Sequence, residues 1–143
     1  MFVKQLSVFV ENKQGKIADF TRILAEEQLD LIALSVADTT NFGILRAIVS
    51  DSDRALSCVM AAGYAVSLTD VLAVAVPDQP GGLHAVLEML NNAQISLEYL
   101  YSFVRNVQEN AVIIFRVSEP EKAVELFKAN NIRLLSQEEI ASA

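Results

Sequence analysis

VPDQPGGLHAVLEML, residues 76–90, continues the apolar run VLAVAV, passes two prolines and two adjacent glycines, and turns at once into an amphipathic helix pattern. Pro80 and Gly81 make a turn, and glycine permits positive φ or a close backbone approach. The amides at such a glycine-rich helix start also point outward, where they suit an anion. The pattern occurs twice. SVFVENKQGKIADFTRIL, residues 7–24, lies over AVAVPDQPGGLHAVLEML, residues 73–90, with Gly15 on Gly81 at an offset of 66. VSDSDRAL at 49–56 then matches VSEPEKAV at 117–124, an offset of 68, so two residues are added in the hairpin between. Loops tolerate such insertions, as a duplication requires.

Each copy carries the same signals in the same order. QLSVFV alternates as a half-buried strand does, and Ile17, Phe20, Thr21 and Leu24 follow at helix spacing. DLIALSVAD and FGILRAIVS read as strands around the hairpin residues Thr39, Thr40 and Asn41. SDSDRALSCVMAAG is a capped helix ending at Gly63, and Tyr64 to Leu68 alternates again. The second copy repeats this with VLAVAV, a helix from Gly82 to about Asn91, ISLEYLYSFV, NAVIIFRV, a helix from Pro120 to about Ala129, and IRLLS. The order is βαββαβ twice. It predicts an α+β chain of two ferredoxin-like units, residues 1–69 and 70–143, each an antiparallel four-stranded sheet with its helices on one face.

Composition narrows the function. The chain has 143 residues, 52% of them hydrophobic, and the longest apolar runs are strand-sized, which argues for a real core and against a membrane span. A formal charge of −7 with scattered basic residues disfavours nucleic acid and anionic membrane surfaces. One cysteine, Cys58, and a start without a secretion-signal pattern point to a reducing cytoplasm. The central strands lack the aromatic-basic signature of RNA-binding sheets, and no CxxC marks a metal loop. No nucleophile, base and orienter can be assembled, so no enzyme, cofactor or metal is expected. His84, the sole histidine, reads as a rim residue or a ligand contact, Cys58 as core, and Tyr99 and Tyr101 as packing residues on one sheet face.

What remains is the duplicated loop. A free amino acid needs amide donors for its carboxylate beside an acceptor for its ammonium. Amides around Gly81, Gly82 and Leu83 with Asp78 supply both in the second loop, while the first offers Asn12, Gly15, Lys16 and Ile17. The same residues can equally serve only to shape turns.

On the βαββαβ order and the loops ENKQGKIADFTRIL and PDQPGGLHAVLEML, the chain resembles a tandem ACT-domain protein over nearly its whole length. The second loop is close to the family's D-x-P-G-x-L form; in the first, Asn12 stands for the acid and Gln14 for the proline. The resemblance implies a regulatory, allosteric protein that binds an amino acid between paired domains. It implies ligand contacts from Asn12, Gln14, Gly15, Lys16 and Ile17 and from Asp78, Pro80, Gly81, Gly82 and Leu83, completed by Ala37, Asp38 and Ser102 on the second strands. A homodimer and a partner metabolic enzyme are the expected partners. The alternative is an oligomerisation module with empty loops that regulates or scaffolds an enzyme.

Overall fold

The computed structural model describes residues 2–11, 13–38, 42–103 and 110–142. The chain divides into two compact units, Lys4–Thr69 and Asp70–Ala141, with residues 2–3 grouped with the second.

The first unit contains β1 (Val3–Glu11), α1 (Lys16–Glu26), β2 (Leu31–Asp38), β3 (Phe42–Val49), α2 (Ser52–Ala61) and the start of β4 (Ala65–Pro77). β3 pairs antiparallel with both β1 and β2, with Val8 and Val36 each opposite Leu45. Leu6, Val8 and Val10 turn to one sheet face and pack with Phe20, Leu24, Leu45 and Val59 into the core. Alternation explains this directly, since β1 residues two apart share a face. Phe9 and Glu11 therefore point to the other face and are exposed.

The second unit holds the remainder of β4, then α3 (Gly82–Asn92), β5 (Leu97–Ser102), β6 (Asn110–Val117), α4 (Pro120–Ala129), β7 (Leu134–Leu135) and α5 (Gln137–Ala141). β6 pairs antiparallel with β4 and β5, and β7 pairs with β4. Leu72, Val74, Val86, Leu90, Phe115 and Phe127 form its core. Both units have the ferredoxin-like arrangement that the sequence predicts.

The duplication extends to individual hydrogen bonds. In the first unit the Asp30 amide donates to Ser50 Oγ at 3.0 Å and the Ser50 amide to the Asp30 carbonyl at 3.0 Å. Ser96 and Ser118 make the same pair at 3.1 and 2.9 Å. Arg54 Nη2 caps the C-terminal end of α1 through the Glu27 carbonyl at 2.7 Å, and Lys122 Nζ caps α3 through Ala93 at 3.2 Å. Both helices end on a glutamine of positive φ, Gln28 at 56° and Gln94 at 59°. These partners reproduce the offsets of 66 and 68 read from the sequence.

Three features differ from the sequence reading. The strands expected at 64–68 and 71–76 are one 13-residue strand, β4, because Thr69 and Asp70 contain neither proline nor glycine to break it. IRLLS forms only the two-residue β7. It is followed by α5, which rests on a capping box: Glu139 N–H donates to Ser136 Oγ at 3.2 Å and Ser136 N–H to Glu139 Oε1 at 3.1 Å. Ile140, 1% exposed, anchors that helix. The expected hairpin at residues 39–41 and the end of the ISLEYLYSFV strand lie outside the described residues.

Candidate functional site

Both strand-to-helix loops are built by the same three hydrogen bonds. Lys13 N–H donates to the Glu11 carbonyl at 2.8 Å, Lys16 N–H to Lys13 at 3.4 Å and Asp19 N–H to Gly15 at 2.9 Å. In the second loop Gln79 donates to Pro77 at 2.9 Å, Gly82 to Gln79 at 3.0 Å and Ala85 to Gly81 at 3.0 Å. Gly15 and Gly81 cap their helices at φ 87° and 84°, the left-handed region that glycine takes without strain. The amides of Lys16 and Gly82 are thus used inside the loops. Among the described residues, the amides of Ile17, Ala18, Leu83 and His84 open the two helices without a backbone acceptor.

The loops differ in tightness. A Cβ on Gly82 would lie 2.2 Å from the Pro77 carbonyl oxygen, so the second loop closes on itself only because that side chain is missing. The first loop has Lys16 at this position, and its closing bond is correspondingly longer.

A cleft of about 270 Å³ opens in the first unit between the end of β1, the start of α1 and the turn from α2 into β4. Phe9, Glu11, Lys16, Asp19, Phe42 and Tyr64 line it. Tyr64 donates its phenol to Asp19 Oδ2 at 2.5 Å, and Arg22 pairs with the other oxygen of the same carboxylate. Glu11 pairs with Lys13 at 2.8 Å. Lys16 Nζ stands 6.0 Å from the centre of the Tyr64 ring, at the outer limit of a cation–π contact, and has no ion pair among the described residues. In the second unit an open groove lies at the other end of α3 from Gly81, around Asn91, Gln94 and Ser96.

Of the residues expected at the site, Lys16 lines the cleft; Gln14, Gly15 and Ile17 are exposed in the loop beside it. Ala37 shares a cross-strand row with Phe9 through Ile44, and Asp38 pairs with Gly43. Asn12 lies outside the described residues. Asp78, Pro80 and Gly81 are exposed and Gly82 buried in the second loop, while Leu83 packs on that unit's core. Ser102 is exposed at the end of β5, opposite Ile113. His84 is on the surface, 3.3 Å from Glu88 one helical turn on. Sequence reasoning left out Glu11, Asp19, Phe42, Tyr64 and Phe9. Phe9 had a legible signal: with Val8 and Val10 facing inward, a phenylalanine between them is forced outward.

A family model for the ACT domain pair matches residues 1–143. The chain belongs to the ACT domain pair family. Protein BT0572 from Bacteroides thetaiotaomicron is 38% identical over 100% of this chain and 98% of its own, with a TM-score of 0.93. The ligand-free regulatory subunit of aspartate kinase from Thermus thermophilus shares the fold at 14% identity and a TM-score of 0.61, covering 88% of this chain and 91% of that one. The corresponding subunit from Thermus flavus gives 14% and 0.60, with 90% of each chain covered. No curated protein matches the sequence. Among the described residues of this ACT pair, no helix is long and apolar enough to cross a membrane.

The Tyr64–Asp19 contact marks the ACT cleft with a pH signature. Burial first, then the bond to Asp19, pushes the Tyr64 phenol up to about 12. Asp19 is held below the usual carboxylate range, chiefly by Tyr64 and then by Arg22. A raised phenol value favours the neutral form in the folded state, so its stabilisation is complete below about 10 and is lost as pH rises through about 12. The depressed carboxylate acts oppositely, stabilising above about 4 and fading as pH falls further. Tyr64→Phe is expected to flatten both limbs of a urea-midpoint profile. Unchanged limbs would show that the pair does not form in solution.

Proposed function

We propose that this ACT pair is a regulatory protein that binds a free amino acid at a glycine-containing strand-to-helix loop, without catalysis or a cofactor. The first-unit cleft carries the reading. There the Lys16 ammonium and the carboxylates of Glu11 and Asp19 meet in one small space, and the amides of Ile17 and Ala18 open α1 next to it without a backbone acceptor among the described residues. Lys16 and those amides suit an α-carboxylate, and Glu11 and Asp19 suit an α-ammonium. A volume near 270 Å³ falls just below the roughly 300–1,000 Å³ of drug-sized ligand pockets, and so favours a small metabolite of amino-acid size. The regulatory role named for the aspartate kinase subunits is carried over as part of this proposal. Ligand binding then acts on a homodimer and on a partner metabolic enzyme, in a reducing cytoplasm that suits the single cysteine.

Thermal unfolding of the purified protein against each of the twenty amino acids at millimolar concentration tests this. A ligand at a hundredfold excess over Kd stabilises by about 2.7 kcal/mol, which raises the midpoint by roughly 5 °C or more for a chain of this size. One selective rise supports the proposal. Twenty flat traces favour a second reading, an interaction module. That reading draws on Phe9 and Phe42, 61% and 54% exposed on the sheet face away from the core.

A further inference from the structure

We infer that the two copies have diverged in use, that ligand binding belongs to the first unit alone, and that its ligand is an amino acid with an aromatic side chain. This rests on the reading of the first-unit cleft as an amino-acid site.

The internal repeat provides the comparison. At the offset of 66, Phe9, Glu11, Lys16 and Asp19 correspond to Ala75, Pro77, Gly82 and Ala85. At the offset of 68, Phe42 corresponds to Asn110 and Tyr64 to Ile132. Among the described residues, the same three backbone hydrogen bonds build the loop in both copies. What the second copy lacks is every charge and every ring that lines the cleft. Its loop instead leaves no room for a side chain at Gly82, where a Cβ would lie 2.2 Å from the Pro77 carbonyl oxygen. A loop shared by both copies explains folding. Chemistry confined to one copy needs another explanation, and a ligand supplies it.

The aromatic rings specify the class. Glu11 lies directly opposite Phe42 and Phe9 opposite Ile44, so the two phenylalanines are diagonal neighbours on one sheet face, within reach of each other's rings. Both are largely exposed, and both line the cleft together with Glu11 and Lys16. A zwitterionic head held by Lys16 and the two carboxylates directs the ligand's side chain onto them. A flat ring gains most from that surface, through edge or offset stacking. A polar or charged side chain would lose its hydration there without a partner.

Isothermal titration with L-phenylalanine, L-tyrosine and L-tryptophan, against glycine, L-aspartate and L-lysine, tests the inference on the full chain. Binding of an aromatic amino acid at one site per chain is expected. Phe42→Ala and Phe9→Ser, both at exposed positions, are each expected to weaken it about tenfold, and Lys16→Met by about tenfold or more. Asp78→Asn in the second loop should leave it unchanged. Binding of glycine or L-aspartate in preference to the aromatic set would overturn the inference and leave the amino-acid reading standing. Two sites per chain, or loss of binding in Asp78→Asn but not in Lys16→Met, would overturn the assignment to the first unit. If Phe42→Ala dissociates a dimer and leaves the titration unchanged, the rings are a protein contact and the inference fails. Failure of all twenty amino acids to bind would remove both the inference and the reading beneath it.

Discussion

Phe127→Ala is expected to destabilise the protein by about 3–5 kcal/mol, the range for emptying a buried aromatic site. Phe127 is 0% exposed and meets Phe115 edge to face, with ring centres 6.3 Å apart and planes at 83°. It is also the point where α4 turns back, since the Ile132 amide donates to its carbonyl at 2.9 Å. Truncation removes the ring contact and leaves a void between helix and sheet that Val86, Leu90 and Leu134 in the same core cannot fill without moving. Urea unfolding followed by circular dichroism should show a large drop in midpoint with little change in slope. Phe9→Ala is the matched control, because a ring that is already exposed is worth only about 0.5 kcal/mol to folding. If the two variants lose equal stability, the burial assigned to α4 is wrong.

Gly82→Ala is expected to destabilise by about 1–3 kcal/mol, the usual cost of overpacking. Alanine is the better helix former by up to about 1 kcal/mol, which works in the opposite direction. Geometry decides between them. The new methyl group would sit 2.2 Å from the Pro77 carbonyl oxygen, and the obstacle is backbone. That carbonyl is held in place by the Gln79 amide at 2.9 Å, and the preceding residues of β4 are locked to β6. Neither side can yield cheaply. A differential scan should therefore show a midpoint lowered by several degrees, and a rise would mean that the loop relaxes freely. The matching change in the first loop, Lys16→Gly, meets no such contact; its cost is the helix propensity of one position and the cation of the cleft. The two loops thus separate by experiment into one that is held by packing and one that is free to carry chemistry.

Much of the architecture was readable along the chain. Alternation in QLSVFV and VLAVAV, helix spacing after Gly15 and Gly81, and caps such as Asp51 depend on neighbours a few residues away, and a linear reading captures them. The capping box at Ser136 and Glu139 is equally local, but the sequence reading missed α5, because a five-residue helix is too short to show a period. β4 was harder, because the absence of proline or glycine at Thr69 and Asp70 permits the two strand signals to join without requiring it.

The candidate site divides in the same way. The sequence by itself determined the duplication, the βαββαβ order, the family and the two glycine-capped loops, since each is a pattern of residue types at short or repeated spacing. Only the tertiary structure brought Glu11 and Phe42 opposite each other, set Tyr64 on Asp19 across 45 residues, and gathered them with Lys16 around one cleft. Strand register and helix docking decide those meetings, and both come from burying apolar faces over long range. Apart from Phe9, whose outward direction follows from strand alternation, the residues of the cleft carry no periodic signal that marks them as a group, and they acquire a common position only when the core beneath them is packed.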